Sequence, residues 1–231
     1  MNSSFDFFDK VYCINIKDRE DRWKESIQEF NKIGIADRVN RFEGVRYEDL
    51  PWPIAGRAGC TMAFRNVIQE ANDLNLNNVF IFEDDITFIH PKEFIEQNLK
   101  LSIKELINYK WDIFYLGMNP NDDLGIYPLE RIQPNLLKIK SCHCLHAVAF
   151  NRNIFKEILE AVPEDKNEVV KWVQSHINFD AWLQRYIIRN KECFCTNEYM
   201  VTQRASKSDI DLRITDYTQH IVDTFYKFRP A

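Results

Sequence analysis

At 231 residues, 45% of them hydrophobic and 13% aromatic, the chain suits one large domain with a sizeable core, and this composition excludes a disordered polymer. A net charge of -5 excludes a generalised nucleic-acid surface, while local basic patches stay open. No secretory leader opens the sequence and no apolar run approaches the length of a transmembrane span, so we expect a soluble, cytoplasmic protein with no nucleic-acid partner, peripheral membrane contact being left open.

In chain order, residues 1–9 read as a loosely held lead-in and residues 10–16 (KVYCINI) as a strand. Asp18 is placed to cap a helix running to about Ile33, with Trp23, Ile27 and Phe30 on one face and Gly34 as the stop. The turn between strand and helix carries Asn15, Lys17, Asp18, Arg19, Asp21 and Arg22. Arg19 and Arg22, three apart where a first strand meets its helix, are candidates for a nucleotide phosphate or base; the alternative is a solvated helical face. Residues 41–45 look like a second strand, and residues 47–59, with Pro51, Pro53, Gly56 and Gly59, like a functional loop. A helix is expected from about Cys60 to Leu76.

The stretch from Asn78 to Pro91 holds the strongest local signal. Val79, Phe80, Ile81 and Phe82 form an unbroken apolar run, expected to be a strand buried on both faces. Three acids follow at once. Because carboxylates are costly to desolvate, they are expected to emerge at the strand's carboxyl end, where open α/β sheets bind ligands. Glu83 and Asp85 alternate to one side and Asp84 to the other, so Glu83 and Asp85 could share one divalent cation and its bound phosphates. Pro91 starts a helix to Leu106, and residues 111–117 (WDIFYLG) form another buried strand. Alternating helices and strands predict an α/β fold with a mixed, mostly parallel central sheet flanked by helices.

Residues 119–134, rich in Pro, Gly, Asn and Asp, read as a substrate-covering loop. Residues 136–142 and 145–150 look like two antiparallel strands and residues 154–161 like a helix. A further helical stretch is expected around residues 179–190. Asp180 lies at its start beside Phe179 and Trp182, where a carboxylate is favoured by the helix dipole; from the residues alone it is an N-terminal cap, with aromatic rings that could pack on a sugar. Of the six cysteines, Cys13 and Cys60 read as core residues. Cys142, Cys144, His146, Cys193 and Cys195 include two C-x-C pairs that could hold zinc, but the spacing is not that of common zinc ribbons, and buried reduced thiols are expected.

Six segments in order, VYCINIKDREDRW, GRAGCTMAFRNVIQEA, VFIFEDDITF, LHAVAFNRNIFKEIL, NFDAWL and QRASKSDIDLRITDY, together resemble glycosyltransferase family 25, from about Val11 to Tyr217. The resemblance implies a single GT-A-like domain, residues 10–117 binding the nucleotide sugar and residues 118–231 forming the acceptor side. It implies an inverting hexosyltransferase that moves galactose or glucose from a UDP-sugar to a glycan, lipooligosaccharide or protein hydroxyl, with Mn2+ or Mg2+. Carried over, Glu83, Asp84 and Asp85 fall on the family's D-x-D-like carboxylates, with Asp85 the first metal ligand, Glu83 beside it and His220 a candidate third. Asn15, Arg19 and Arg22 match the donor-side motif, Gln203, Ser208 and Asp209 the late Q-x-x-x-x-S-D-I pattern, and Asp180 an aspartate that could serve as acceptor base. Phe64 departs from the pattern, standing where members often have His. A metal-dependent phosphohydrolase or nucleotidyltransferase could also use Glu83 and Asp85, and a catalytically silent sugar-nucleotide-binding module is the non-enzymatic alternative.

Overall fold

The computed structural model describes residues 3–207 and 214–231. In chain order its elements are β1 (Lys10–Asn15), α1 (Glu20–Ile33), β2 (Val39–Glu43), α2 (Ile54–Asp73), β3 (Asn78–Glu83), β4 (Ile86–Phe88), α3 (Lys92–Leu106), β5 (Ile113–Pro120), β6 (Leu129–Gln133), β7 (Leu136–Ile139), β8 (Cys142–Asn151), α4 (Arg152–Ala161), α5 (Lys166–His176), α6 (Phe179–Trp182), β9 (Cys193–Thr196), β10 (Val201–Gln203), β11 (Ser206–Lys207), β12 (Ile214–Thr215) and α7 (Thr218–Phe228). α6 runs on without a break into a π-helical turn, Leu183–Ile188. Among the described residues no helix is long and apolar enough to cross a membrane.

Eight strands form one sheet in the order β2-β1-β3-β8-β5-β9-β7-β6. β1 pairs in parallel with β2 and β3, and β5 with β9, while β8 runs antiparallel between β3 and β5, and β7 antiparallel between β9 and β6. Six strands thus point one way and two the other, which is the expected α/β class with a mixed sheet. One expectation about pairing fails: β7 and β8 do not pair with each other, because β8 lies between β3 and β5 and β7 between β9 and β6.

Val79, Phe80, Ile81 and Phe82 are all fully buried. Their alternation divides the core into two layers: Val79 and Ile81 pack with α2, α4, α5 and α7, and Phe80 and Phe82 with α1 and α3. The second layer also contains residues from the 3–9 segment, which is no loose lead-in. A 3-10 turn at Ser4–Phe7, capped by Ser3, inserts Phe5 and Phe8 against Phe80, with ring centroids 5.7 and 4.8 Å apart. Full burial of each ring contributes about 1.5–3 kcal/mol, enough to order a segment that has turn-forming Ser and Asp residues around it.

Other boundaries move for local reasons. Arg19, not Asp18, occupies the N-cap of α1, whose buried stripe is Arg22, Ser26, Glu29, Phe30 and Ile33, with the Trp23 and Ile27 side only half-buried. Gly34 ends it at φ 74°, as expected. α2 begins at Ile54, so Gly56 and Gly59 belong to the helix; a Cβ at Gly59 would lie 2.2 Å from the Val45 carbonyl oxygen, so the glycine there allows close approach of the preceding loop. β6 occupies the end of the expected covering loop, and α5 was not anticipated.

His146 shows how tightly β8, β5 and β10 are joined. Its Nε2–H donates to the Val201 carbonyl at 3.0 Å, and a Cβ at Gly117 would meet that nitrogen at 2.3 Å. Nδ1 is buried with no partner, and burial pushes the imidazole pKa down to about 4. The unfolded chain binds this proton near pH 6.5, so stability present above that value is lost as pH falls toward 4, by up to about 3 kcal/mol. Denaturant titrations of the parent and His146→Gln between pH 7 and pH 4 should show a lower overall stability in the variant but a shallower decline with acid.

Candidate active site

The strand ends place the site. β1, β2, β3 and β5 end, and the antiparallel β8 begins, along one edge of the sheet, and a cleft of about 680 Å3 opens there. Its floor includes Ile14, Glu83, Asn119 and Leu145, and its sides come from the loop after β2, the first turns of α2, and α6.

The three acids at the end of β3 have different surroundings. Asp84 is buried, 6% exposed, and accepts from Asn15 Nδ2 at 2.6 Å and Arg22 Nη1 at 2.7 Å. Asn15, itself 1% exposed, also donates to the Arg19 carbonyl and accepts from Arg41 Nε at 2.9 Å. Burial raises the Asp84 pKa, against the Arg22 charge and the Asn15 hydrogen bond, so desolvation outweighs its partners. The backbone of the turn is held as firmly. Arg204 donates to the Asp84 and Ile86 carbonyls at 2.6 and 3.0 Å, and its own N–H donates to the Asp85 carbonyl at 2.7 Å.

Glu83 and Asp85 face the other way, as the alternation of the chain predicts. Gln203 Nε2, brought there by the antiparallel pairing of β10 with β4, lies 3.1 Å from Glu83 Oε2 and 3.4 Å from Asp85 Oδ1. Asp85 is also 3.6 Å from Arg22 Nη2. Burial, followed by the charges of Asp85, Asp180 and Asp84, pushes the Glu83 pKa well up. The Arg22 charge opposes this rise and is outweighed.

Asp180 enters from α6. Asn178 is the true cap, its Oδ1 accepting from the Ala181 N–H at 3.1 Å, which leaves Asp180 one residue inside the helix. Asp180 Oδ1 accepts from Ala181 N–H at 2.9 Å and Oδ2 from Cys144 N–H at 3.0 Å. Cys144 sits at φ 67°, a conformation that a side chain bearing a Cβ rarely adopts, inside an irregular stretch of the β8–β5 pairing. That local strain turns the Cys144 N–H toward Asp180. Below, Phe64 and Phe179 pack at 5.6 Å, so Phe64 supports the aspartate's helix from the core.

Other expected residues lie elsewhere. The Arg19 guanidinium meets Asp21 at 3.0 Å, holding that carboxyl at about 2, and does not line the cleft. His220 is exposed on α7, whose Tyr217 and Ile221 flank reaches the cleft. Ser208 and Asp209 fall outside the described residues. Cys60 lines the cleft, while Cys142, Cys193 and Cys195 are buried with thiol pKa values raised by desolvation. Among the described residues no three His, Cys, Asp or Glu side chains form a group that could hold a metal.

A divalent cation still fits this donor set in a limited way. Two carboxylates within reach of one amide nitrogen offer hard oxygen ligands, and the Arg22 charge offsets their mutual repulsion only in part. Mg2+-type sites commonly use one or two carboxylates and complete the shell with water and substrate phosphates.

Sequence reasoning missed Arg57, Asn119, Asn178 and Tyr217 as cleft residues. The Pro- and Gly-rich run before α2 was a usable signal for Arg57. Nothing local in the sequence marks Asn119, which depends on how β5 and β8 pair.

No protein-family model matches the chain. A procollagen galactosyltransferase 1-A from Xenopus laevis is 27% identical over 132 residues, which is 48% of this chain and 21% of that protein, so the chain spans about a fifth of the length of that relative. Among solved structures, a glycosyltransferase involved in the glycosylation of the major capsid of PBCV-1 aligns with TM-score 0.47 and 8% identity over 93% of this chain and 91% of that one. UDP-glucose pyrophosphorylase complexed with UDP-glucose aligns with TM-score 0.44 and 10% identity over 95% and 80%. Neither structural likeness is close enough to bear on function.

The Arg22–Asp84 pair yields a direct stability test. Arg22→Met leaves a buried carboxylate without its cation, and a loss of about 3–5 kcal/mol is expected in urea titration. Combining it with Asp84→Asn should recover part of that loss; additive losses would show that the two side chains do not act as a pair.

Proposed function

We propose that the protein is a metal-dependent, inverting glycosyltransferase of the family 25 type, which moves a hexose from a UDP-sugar to a hydroxyl of a glycan, a lipooligosaccharide or a protein. The observation that carries this reading is the convergence, in one cleft at the strand ends, of Glu83 and Asp85 under a shared Gln203 amide with Asp180 from a separate element. The similarity to the procollagen galactosyltransferase supports a transferase acting on sugars. The mixed sheet with its acids at the end of a buried strand suits a GT-A-like domain, with residues 10–117 serving the donor and residues 118–231 the acceptor.

In this reading Glu83 and Asp85 hold Mn2+ or Mg2+, which when bound would offset charge developing on the leaving diphosphate. Gln203 fixes the two carboxylates, and Asn15, Arg22 and Asp84 fix the turn that carries them. Asp180 takes the proton of the acceptor hydroxyl as its oxygen attacks the anomeric carbon and the bond from that carbon to the phosphate oxygen breaks. UDP leaves with the bonding electron pair. Each Asp180 oxygen accepts one backbone N–H, and a second lone pair on each is available for the proton.

A paired substitution separates the two roles. Asp85→Asn should abolish the Mn2+ dependence of UDP stabilisation in thermal melts while leaving the fold intact. Asp180→Asn should keep that coupling and lose about 10²- to 10⁴-fold in transfer rate. Unchanged coupling in the first variant, or parental transfer in the second, would remove the assigned role.

A further inference from the structure

The cations expected to meet a phosphate are already engaged by the protein. Arg22 is held by Asp84 at 2.7 Å and faces Asp85, and Arg19 lies against Asp21 outside the cleft. Arg204, which does line the cleft, is occupied by Glu25 at 2.8 Å and by two backbone carbonyls. Arg46 faces Asp18 at 3.8 Å. Arg57 differs from these four. It lines the cleft half-buried in the first turn of α2, a turn without an acidic residue, and its guanidinium meets no carboxylate or carbonyl oxygen among the described residues.

The surroundings leave room for a ligand beside it. Ala55, Gly56 and Gly59 line the same wall, and Gly59 is held against the Val45 carbonyl. One helical turn further along α2, Cys60 feels the charges of Glu83, Asp180 and Asp85, its thiol pushed up by burial and then by those acids. Arg57 precedes Cys60 by three residues, about 4.5 Å along the helix axis, and lines the same cleft as the acids. A guanidinium offers five donors in a fork that matches phosphate or carboxylate oxygens.

Resting on the transferase reading above, we infer that Arg57 forms an anion subsite of this cleft, one that takes a phosphate or carboxylate group of a substrate. Two substrates could supply that group: the donor, through its diphosphate, or an acceptor sugar that carries a phosphate or carboxylate. The metal-side acids and Arg57 would then grip the same bound molecule, or two neighbouring ones, from two elements.

The test uses Arg57→Gln and Arg57→Lys, with equal thermal melts as the control for folding, and titration calorimetry in Mn2+ with pyrophosphate, UDP, uridine and, in saturating UDP, glucose 6-phosphate. Loss of one charge-assisted fork is expected to weaken the anion that Arg57 holds by about 10- to 100-fold in Arg57→Gln, with partial recovery in Arg57→Lys. Weaker UDP with unchanged uridine assigns the subsite to the donor. Unchanged UDP with weaker glucose 6-phosphate assigns it to an anionic acceptor. A parent protein that binds pyrophosphate but not UDP would sink the sugar-nucleotide reading, and loss of pyrophosphate binding in Arg57→Gln would still uphold the subsite. If the parent binds none of these anions, or if Arg57→Gln binds all of them as the parent does, the subsite is overturned.

Discussion

The buried contact of Asp84 with Asn15 and Arg22 is the constraint on which the site depends. It joins three elements at one edge of the sheet: the end of β1, the first turn of α1 and the turn after β3. With Asp84 committed inward, the alternation of an extended chain obliges Glu83 and Asp85 to face the cleft. Burial outweighs the partners of Asp84, so the arrangement is not a source of net electrostatic stability. It acts as a register lock. A turn carrying three acids has many solvated alternatives, and a carboxylate that must find its one amide and one guanidinium excludes most of them.

The aspartate of α6 is held by a different device. Asp180 takes its direction from two backbone N–H groups, one of them supplied by Cys144 in a left-handed conformation. The π-helical turn that follows α6 continues the irregularity, and such turns gather at functional sites. Local strain at Cys144 costs on the order of 1–3 kcal/mol and is sustained by the fully buried residues of β8 that follow it. The two halves of the site therefore differ in how they are fixed, one by side-chain pairing and the other by backbone geometry.

This difference explains what could be read from the chain. Val79 to Phe82 announce a doubly buried strand because four large apolar residues in a row have no other low-energy use, and the acids after them mark its open end. The inward role of Asp84 was legible as a direction, though not as a pairing with Asn15 and Arg22, since those partners lie 69 and 62 residues away. Arg19 and Arg22 looked equivalent in the sequence. The structure separates them because Asp21 competes for one and Asp84 for the other. The N-terminal segment was misread because its two buried rings, Phe5 and Phe8, are scattered among polar residues with no helical or strand period. The position of β8 between β3 and β5 is a non-local choice that no local pattern encodes.

In the proposed reaction the cleft breaks the bond between a sugar and a nucleoside diphosphate. The most direct measurement is phosphorus NMR of the nucleotide released from a panel of UDP-hexoses incubated with the protein, Mn2+ and candidate acceptors. UDP, formed in step with the glycosylated product or slowly with water as acceptor, is the expected result. Release of UMP or inorganic phosphate would contradict the account and assign Glu83 and Asp85 to a phosphohydrolase or nucleotidyltransferase instead.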